Sequence, residues 1–150
     1  MPARPPAVTR AEYQALAAFR YALRQFLRFS EEAAVAAGIT PQQHQALLAI
    51  KGFPGRDRIT IGELAERLQL RHHSAVGLTD RLVAEKLTAR RRDSADRREV
   101  HLVLTARGES VLEKLSAAHK EQLRRVGPQI RLLLETLRVR QVTCAPSVPT

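Results

Sequence analysis

The 150-residue sequence holds one cysteine, no tryptophan, two tyrosines and four phenylalanines. The single thiol, Cys144, excludes an internal disulfide framework and a two-thiol metal site, and it predicts a reducing, cytoplasmic setting. So few aromatic rings argue against single-strand binding by base stacking. No apolar run approaches the roughly 20 residues of a membrane-spanning helix. The opening residues Pro2, Arg4, Pro5 and Pro6 do not resemble a secretory signal, so a soluble, unprocessed chain with no membrane partner is expected. Also missing are a Gly-rich phosphate loop, a Gly-x-Ser-x-Gly elbow, a His-Glu-x-x-His pair and a cysteine set beside histidine. These absences leave no catalytic residue and no cofactor to name, and they argue against an enzyme.

Acid is scarce as well: 15 Asp and Glu face 25 Lys and Arg, for a net charge of +10. Such a balance favours a polyanionic partner, nucleic acid before anionic lipid. The basic residues crowd into RRRDSADRR at 90–98 instead of lining one amphipathic helix, which sets lipid aside. From Arg71 to Arg107 nine basic residues oppose five acidic ones, a net +4 per chain. With about six to ten phosphates neutralised per dimer, affinity should fall by roughly three to five powers of ten between 50 and 200 mM salt.

Periodicity gives the organisation. Thr9 with Glu12 forms a capping box, and Leu16, Phe19, Leu23, Phe26 and Leu27 then recur at three- and four-residue spacing, predicting a helix that stops at Gly38. Thr40, Pro41 and Gln43 start a second helix whose buried side carries Leu47, Leu48 and Ile50. After the break at Gly52, Pro54 and Gly55, Arg58 to Thr60 can form a short strand, and Thr60 with Glu63 caps IGELAERLQL. HHSAVGLTDRLVAEK follows almost without a linker and places Ala75, Leu78, Thr79 and Leu82 on one side, the helix-turn-helix arrangement. Leu87 to Arg92 and Arg98 to Leu104 then pair around DSADR, with Val100, Leu102 and Leu104 inward and Glu99, His101 and Val103 outward. Thr105 caps a helix through Val111, Leu112, Leu115, Ala118 and Leu123, which breaks at Gly127 and Pro128 before a last helix with Leu132, Leu133 and Leu137.

The fold expected is mainly α with a small β-wing: a winged helix-turn-helix over 40–104, flanked by N- and C-terminal dimerisation helices at 9–38 and 106–139. A leader at 1–8 and a Pro-rich tail at 140–150 are expected to be disordered. A helix-turn-helix followed by a hairpin offers DNA two readers, a helix for the major groove and a tip for the minor groove. Arginine at such a tip suits the narrow, electronegative minor groove. Asp96 and Arg98, two apart on extended chain, share a face.

The stretch DSADRREVHLVLTARG resembles the wing signature of MarR-family transcriptional regulators, D-x-R, five residues, then L-T-x-x-G, with Asp96, Arg98, Leu104, Thr105 and Gly108 at those positions. The resemblance runs through ITIGELAERLQLRHHSAVGLTDRLVAEKLTARR and covers roughly residues 10 to 138. It implies that Arg98 contacts the minor groove and that Asp96 positions it by pairing. Arg97 joins the tip as a further DNA contact. The resemblance also implies a pocket for a small aromatic or phenolic anion, although Arg20, Tyr21 and His44 fit helix-surface or packing roles equally well, so the ligand residues stay unassigned.

On the reading helix, steps of 100° turn His73, Gly77, Asp80 and Arg81 away from the buried side, with Ser74 at the margin. Arg71, His72, His73 and Ser74 at its start can reach phosphate or base edges, and Arg81 a phosphate. Gly77 either lets backbone approach the groove or serves helix packing. Histidine at 72 and 73, where relatives carry small hydroxyl residues, leaves the operator sequence open. Adjacent helical histidines diverge by about 100°, unlike the i, i+4 spacing of a two-ligand metal site, so no metal is expected. The apolar stripes of the terminal helices exceed what one small winged body covers, which predicts a homodimer reading half-sites about 34–36 Å apart in a palindromic duplex.

Overall fold

Three threonines start three helices, each by the reciprocal bond that satisfies two free N–H groups at a helix end. Thr9 Oγ1 accepts from Glu12 N at 3.3 Å while Glu12 Oε2 accepts from Thr9 N at 2.7 Å, opening α1 (Arg10–Ala36). The Thr40–Gln43 and Thr60–Glu63 boxes likewise open α2 (Pro41–Lys51) and α3 (Ile61–Leu68). These details come from a computed structural model that describes residues 7–93, 95–96 and 98–138. Residues 1–6, most of the expected leader, and the tail with Cys144 lie outside the described residues, as does Arg97.

Gly38 ends α1 at φ +81°, where Ile39 N donates back to Ala34 O at 3.1 Å, the six-to-one bond of a glycine-terminated helix. After α2 come β1 (Arg58–Thr60) and α3, then the tight turn into α4 (His72–Ala84). Gln69 makes that turn in the left-handed region, φ +52°, and Leu70 N donates to Ala65 O at 2.8 Å. β2 (Thr88–Arg92) and β3 (Val100–Leu104) follow, and the antiparallel sheet has the order β1-β3-β2. β3 is central: Leu102 pairs with Ile59 on one side and Arg90 on the other.

Residues 30–119 form one compact unit. Leu47, Ile50, Ile59, Leu64, Leu78, Leu82, Leu87 and Leu102 are closed off from solvent in its core. Each such side chain stabilises the fold by about 1.5–3 kcal/mol. Ala75, Leu78, Thr79 and Leu82 are the buried side of α4, the set the 100° steps select. Two placements differ from the sequence reading. Leu48 is 52 % exposed, because one residue past Leu47 turns about 100° off the buried stripe, and His44 and Gln43 fill that stripe instead. His101, read as outward, is buried, because Arg56 from the loop before β1 lies over that face with Nη1 3.3 Å from His101 Nε2.

In the same unit the His44 and His119 rings pack at 4.8 Å between centroids. His119 also meets Ser30 Oγ at 2.8 Å and Leu115 O at 2.6 Å. Burial, followed by repulsion from His119, holds the pKa of His44 below the usual histidine range.

Of the described residues, 7–29 and 120–138 belong to the second unit, which takes in the start of α1 and the end of α5 (Ala106–Arg138). α5 is a single helix carrying Pro128 inside it, not the two helices the Gly127–Pro128 pair predicts. Proline removes one N–H and crowds one carbonyl, a local cost that the turns on either side outlast. In this unit Ala15 and Ala22 are buried, but Leu16, Leu23, Leu27, Leu123, Leu132 and Leu134 stand between 41 % and 64 % exposed. No helix among the described residues is long and apolar enough to cross a membrane.

Candidate nucleic-acid interface

The outer side of α4 is assembled by default: with Ala75, Leu78, Thr79 and Leu82 committed to the core, the remaining positions face water. Arg71, His72, His73, Asp80 and Arg81 are exposed, and Ser74 and Gly77 are half-buried. Arg71 occupies the N-cap but supplies no side-chain bond to the first turn. The leading N–H groups of α4 therefore have no side-chain acceptor there, and a helix start of this kind favours anions. A β-carbon on Gly77 would meet only Arg81 Nη1, at 3.6 Å, so core packing does not require glycine at this position. Its effect is on Arg81, whose guanidinium lies along the bare backbone.

The wing is held by its aspartates through backbone. Asp96 Oδ1 accepts from Arg98 N at 2.9 Å, Asp96 O accepts from Glu99 N at 3.1 Å, and Asp93 Oδ1 accepts from Ala95 N at 2.8 Å. Asp96 thus meets the main chain of Arg98, while the Arg98 side chain is exposed and forms no ion pair among the described residues. A carboxylate that folds the tip in this way leaves the guanidinium free for an outside anion.

The second half of the wing signature is a structural splice. Thr105 N donates to Leu87 O at 3.1 Å, Thr105 Oγ1 donates to Lys86 O at 2.5 Å, and Gly108 N donates to Thr105 Oγ1 at 3.1 Å. A β-carbon on Gly108 would be driven into the Leu87 carbonyl, so glycine is required where the first turn of α5 meets the connection between α4 and β2. Lys86 completes the junction at φ +59°, a conformation costly for a residue with a β-carbon.

Arg90, Arg91 and Arg92, counted from the sequence in the basic wing but not named there as individual DNA contacts, are exposed along edge strand β2. The run of three arginines on an edge strand was the available signal. Arg90 Nη2 reaches Asp80 Oδ1 at 2.5 Å and so joins the outer side of α4 to the wing. Asp93, Glu99 and His101 bring ligand-type atoms within 4.8 Å of one another. Arg58 lies 3.5 Å from Asp93, and Arg56 lies against both His101 and Glu63. Both guanidiniums therefore set positive charge beside this cluster. For Glu63, burial works to raise the pKa, but the Thr60 backbone bond and the Arg56 charge outweigh it and lower the pKa.

A helix-turn-helix whose second helix stands exposed beside a two-stranded basic hairpin defines a winged helix-turn-helix protein. The family model described as MarR family matches residues 37–99, the stretch from the end of α1 to the wing. Through this core the chain is similar to the MarR family. It is 31 % identical over 83 residues to the HTH-type transcriptional repressor MdtR of Bacillus subtilis, a match covering 55 % of this chain and 52 % of that one. The matched segments span about half the length of the curated relatives. Among solved structures, a MarR family protein from Bacillus stearothermophilus is 25 % identical with a TM-score of 0.72, over 88 % of this chain and 94 % of that one. A MepR mutant from S. aureus, bound to an oligodeoxyribonucleotide, has the same fold with a TM-score of 0.63 at 21 % identity, over 87 % of this chain and 96 % of that one.

Proposed function

We propose that the protein is a homodimeric transcriptional regulator that binds a palindromic double-stranded DNA site. α4 enters the major groove, and Arg98, with Arg97, reaches the flanking minor groove. Arg71, His72, His73 and Ser74 contact phosphate or base edges at the start of α4, Gly77 allows close approach, and Arg81 contacts phosphate further along. The observation that carries this reading is the meeting of the exposed side of α4 with the arginine-bearing strand β2 at Asp80 and Arg90, which makes one continuous surface of the two readers. The MepR mutant was solved on an oligodeoxyribonucleotide, and MdtR is named a transcriptional repressor, which supports a DNA-bound repressor here.

The uncovered leucines of α1 and α5 supply the surface on which a second copy packs. A small aromatic or phenolic anion releases the dimer from DNA by binding more tightly to a dimer whose reading heads are wrongly spaced. The setting is the cytoplasm. Labelled duplex from the protein's own promoter region, scrambled duplex and single-stranded RNA, titrated at one salt concentration, test the reading. Preference for the promoter duplex is expected. Equal affinity for all three would replace it with a basic protein that binds nucleic acid without choosing sequence.

A further inference from the structure

Asp80 is the acidic residue of α4, and it stands on the exposed side that the reading above turns towards DNA. At 100° per residue it lies about 20° from His73 and about 60° from Gly77. A bare carboxylate there repels phosphate and subtracts from the attraction that Arg71 and Arg81 provide. It is not bare. Asp80 Oδ1 accepts from Arg90 Nη2 at 2.5 Å, with the two side chains 60 % and 40 % exposed. A pair this open contributes little to stability, so holding the fold together does not account for it. Only Nη2 of the Arg90 fork faces Asp80, and Arg91 and Arg92 beside it form no ion pair among the described residues. One of three neighbouring arginines is therefore held by an anion of the protein's own.

We infer that Asp80 determines specificity by standing in for phosphate: it holds Arg90 on unrelated duplex, and gives it up only where base contacts seat α4 fully in the groove. This inference rests on the DNA-binding reading. On unrelated sequence, an Arg90–phosphate contact must break the pair and bring a phosphate close to the Asp80 carboxylate. Sequence-independent affinity therefore falls by one contact. On the cognate site, the base contacts of the same helix offset that exchange.

The test uses the full chain, with wild type, Asp80→Asn, Asp80→Glu, Arg90→Gln and the Asp80→Asn/Arg90→Gln double variant. Each is titrated against the preferred duplex and a scrambled duplex from 50 to 200 mM salt, with thermal unfolding as the folding control. One additional phosphate contact gives Asp80→Asn about five-fold tighter binding to scrambled duplex at 0.15 M salt and a salt slope steeper by about 0.9. Binding to the preferred duplex changes less, so discrimination falls, while Asp80→Glu keeps the carboxylate and behaves as wild type. Arg90→Gln weakens binding to both duplexes, and the double variant binds more tightly than Arg90→Gln alone because the uncompensated carboxylate is gone. Unchanged slope and discrimination in Asp80→Asn, with a wild type that still prefers its duplex, overturn this inference and leave the regulator standing. A wild type with no preference overturns both.

Discussion

In the unit of residues 30–119, Leu47, Leu64, Leu78, Leu82, Leu87 and Leu102 are shut away from solvent, whereas in the other unit Leu16, Leu23, Leu27, Leu123, Leu132 and Leu134 stand open. Helical spacing marks Leu78 and Leu82 in the first set as it marks Leu16, Leu23 and Leu27 in the second. In the first unit, short helices turn back on a three-stranded sheet and bury most of their apolar residues, Val35 and Leu48 excepted. In the second, the long helices α1 and α5 carry apolar residues that stand open among the described residues. Periodicity marks a face as apolar without telling what covers it, and burial separates the faces that are covered from those left open.

The largest effect is expected where that second surface is broken. Leu23→Glu with Leu132→Glu removes two leucines worth roughly 1.5–3 kcal/mol each when buried, so self-association weakens on the order of a hundred-fold or more. Sedimentation then shows a monomer whose circular dichroism keeps the helix content of the wild type. An unchanged dimer would place the interface elsewhere. The complete core fails differently. Gly108→Ala forces a methyl group into the Leu87 carbonyl and should cost about 3 kcal/mol in denaturant unfolding, the upper end for overpacking. A loss below the usual scatter of surface substitutions would mean that the α4–α5 junction yields easily.

A smaller change of opposite sign is expected next door. Lys86→Gly relieves a left-handed residue and should stabilise the same junction by about 1 kcal/mol. Destabilisation would show that the lysine side chain earns its place by a contact. The smallest effect is a slope. Because the folded chain holds His44 below its ordinary pKa, the unfolded chain takes up a proton first as pH falls through about 6.5, and stability drops from there towards acid. His44→Asn should flatten that decline between pH 7 and 5. An unaltered slope would assign it to other groups.

Much of the 30–119 unit could be read from local chemistry. The Thr40–Gln43 and Thr60–Glu63 boxes fixed two helix starts, and the Ala75, Leu78, Thr79 and Leu82 spacing fixed which side of α4 faces in. These signals act within four residues. What escaped depends on contacts from far along the chain: Arg56 covering His101 across 45 residues, or the Leu87 carbonyl that requires glycine at 108. α5 escaped for another reason, because Pro128 is a local breaker outvoted by the turns around it. At the candidate interface the exposed side of α4 was legible as the side left over from packing. The pairing of Asp80 with Arg90 was not, since it depends on how α4 lies against β2.

The most direct trial of the account is a hydroxyl-radical footprint on a duplex selected from random sequence by the protein itself. Two protected patches one helical turn apart, about 34–36 Å, each flanked by minor-groove protection that disappears in Arg98→Ala, are the expected result. Protection spread evenly along the duplex, and unaltered in Arg98→Ala, would contradict it.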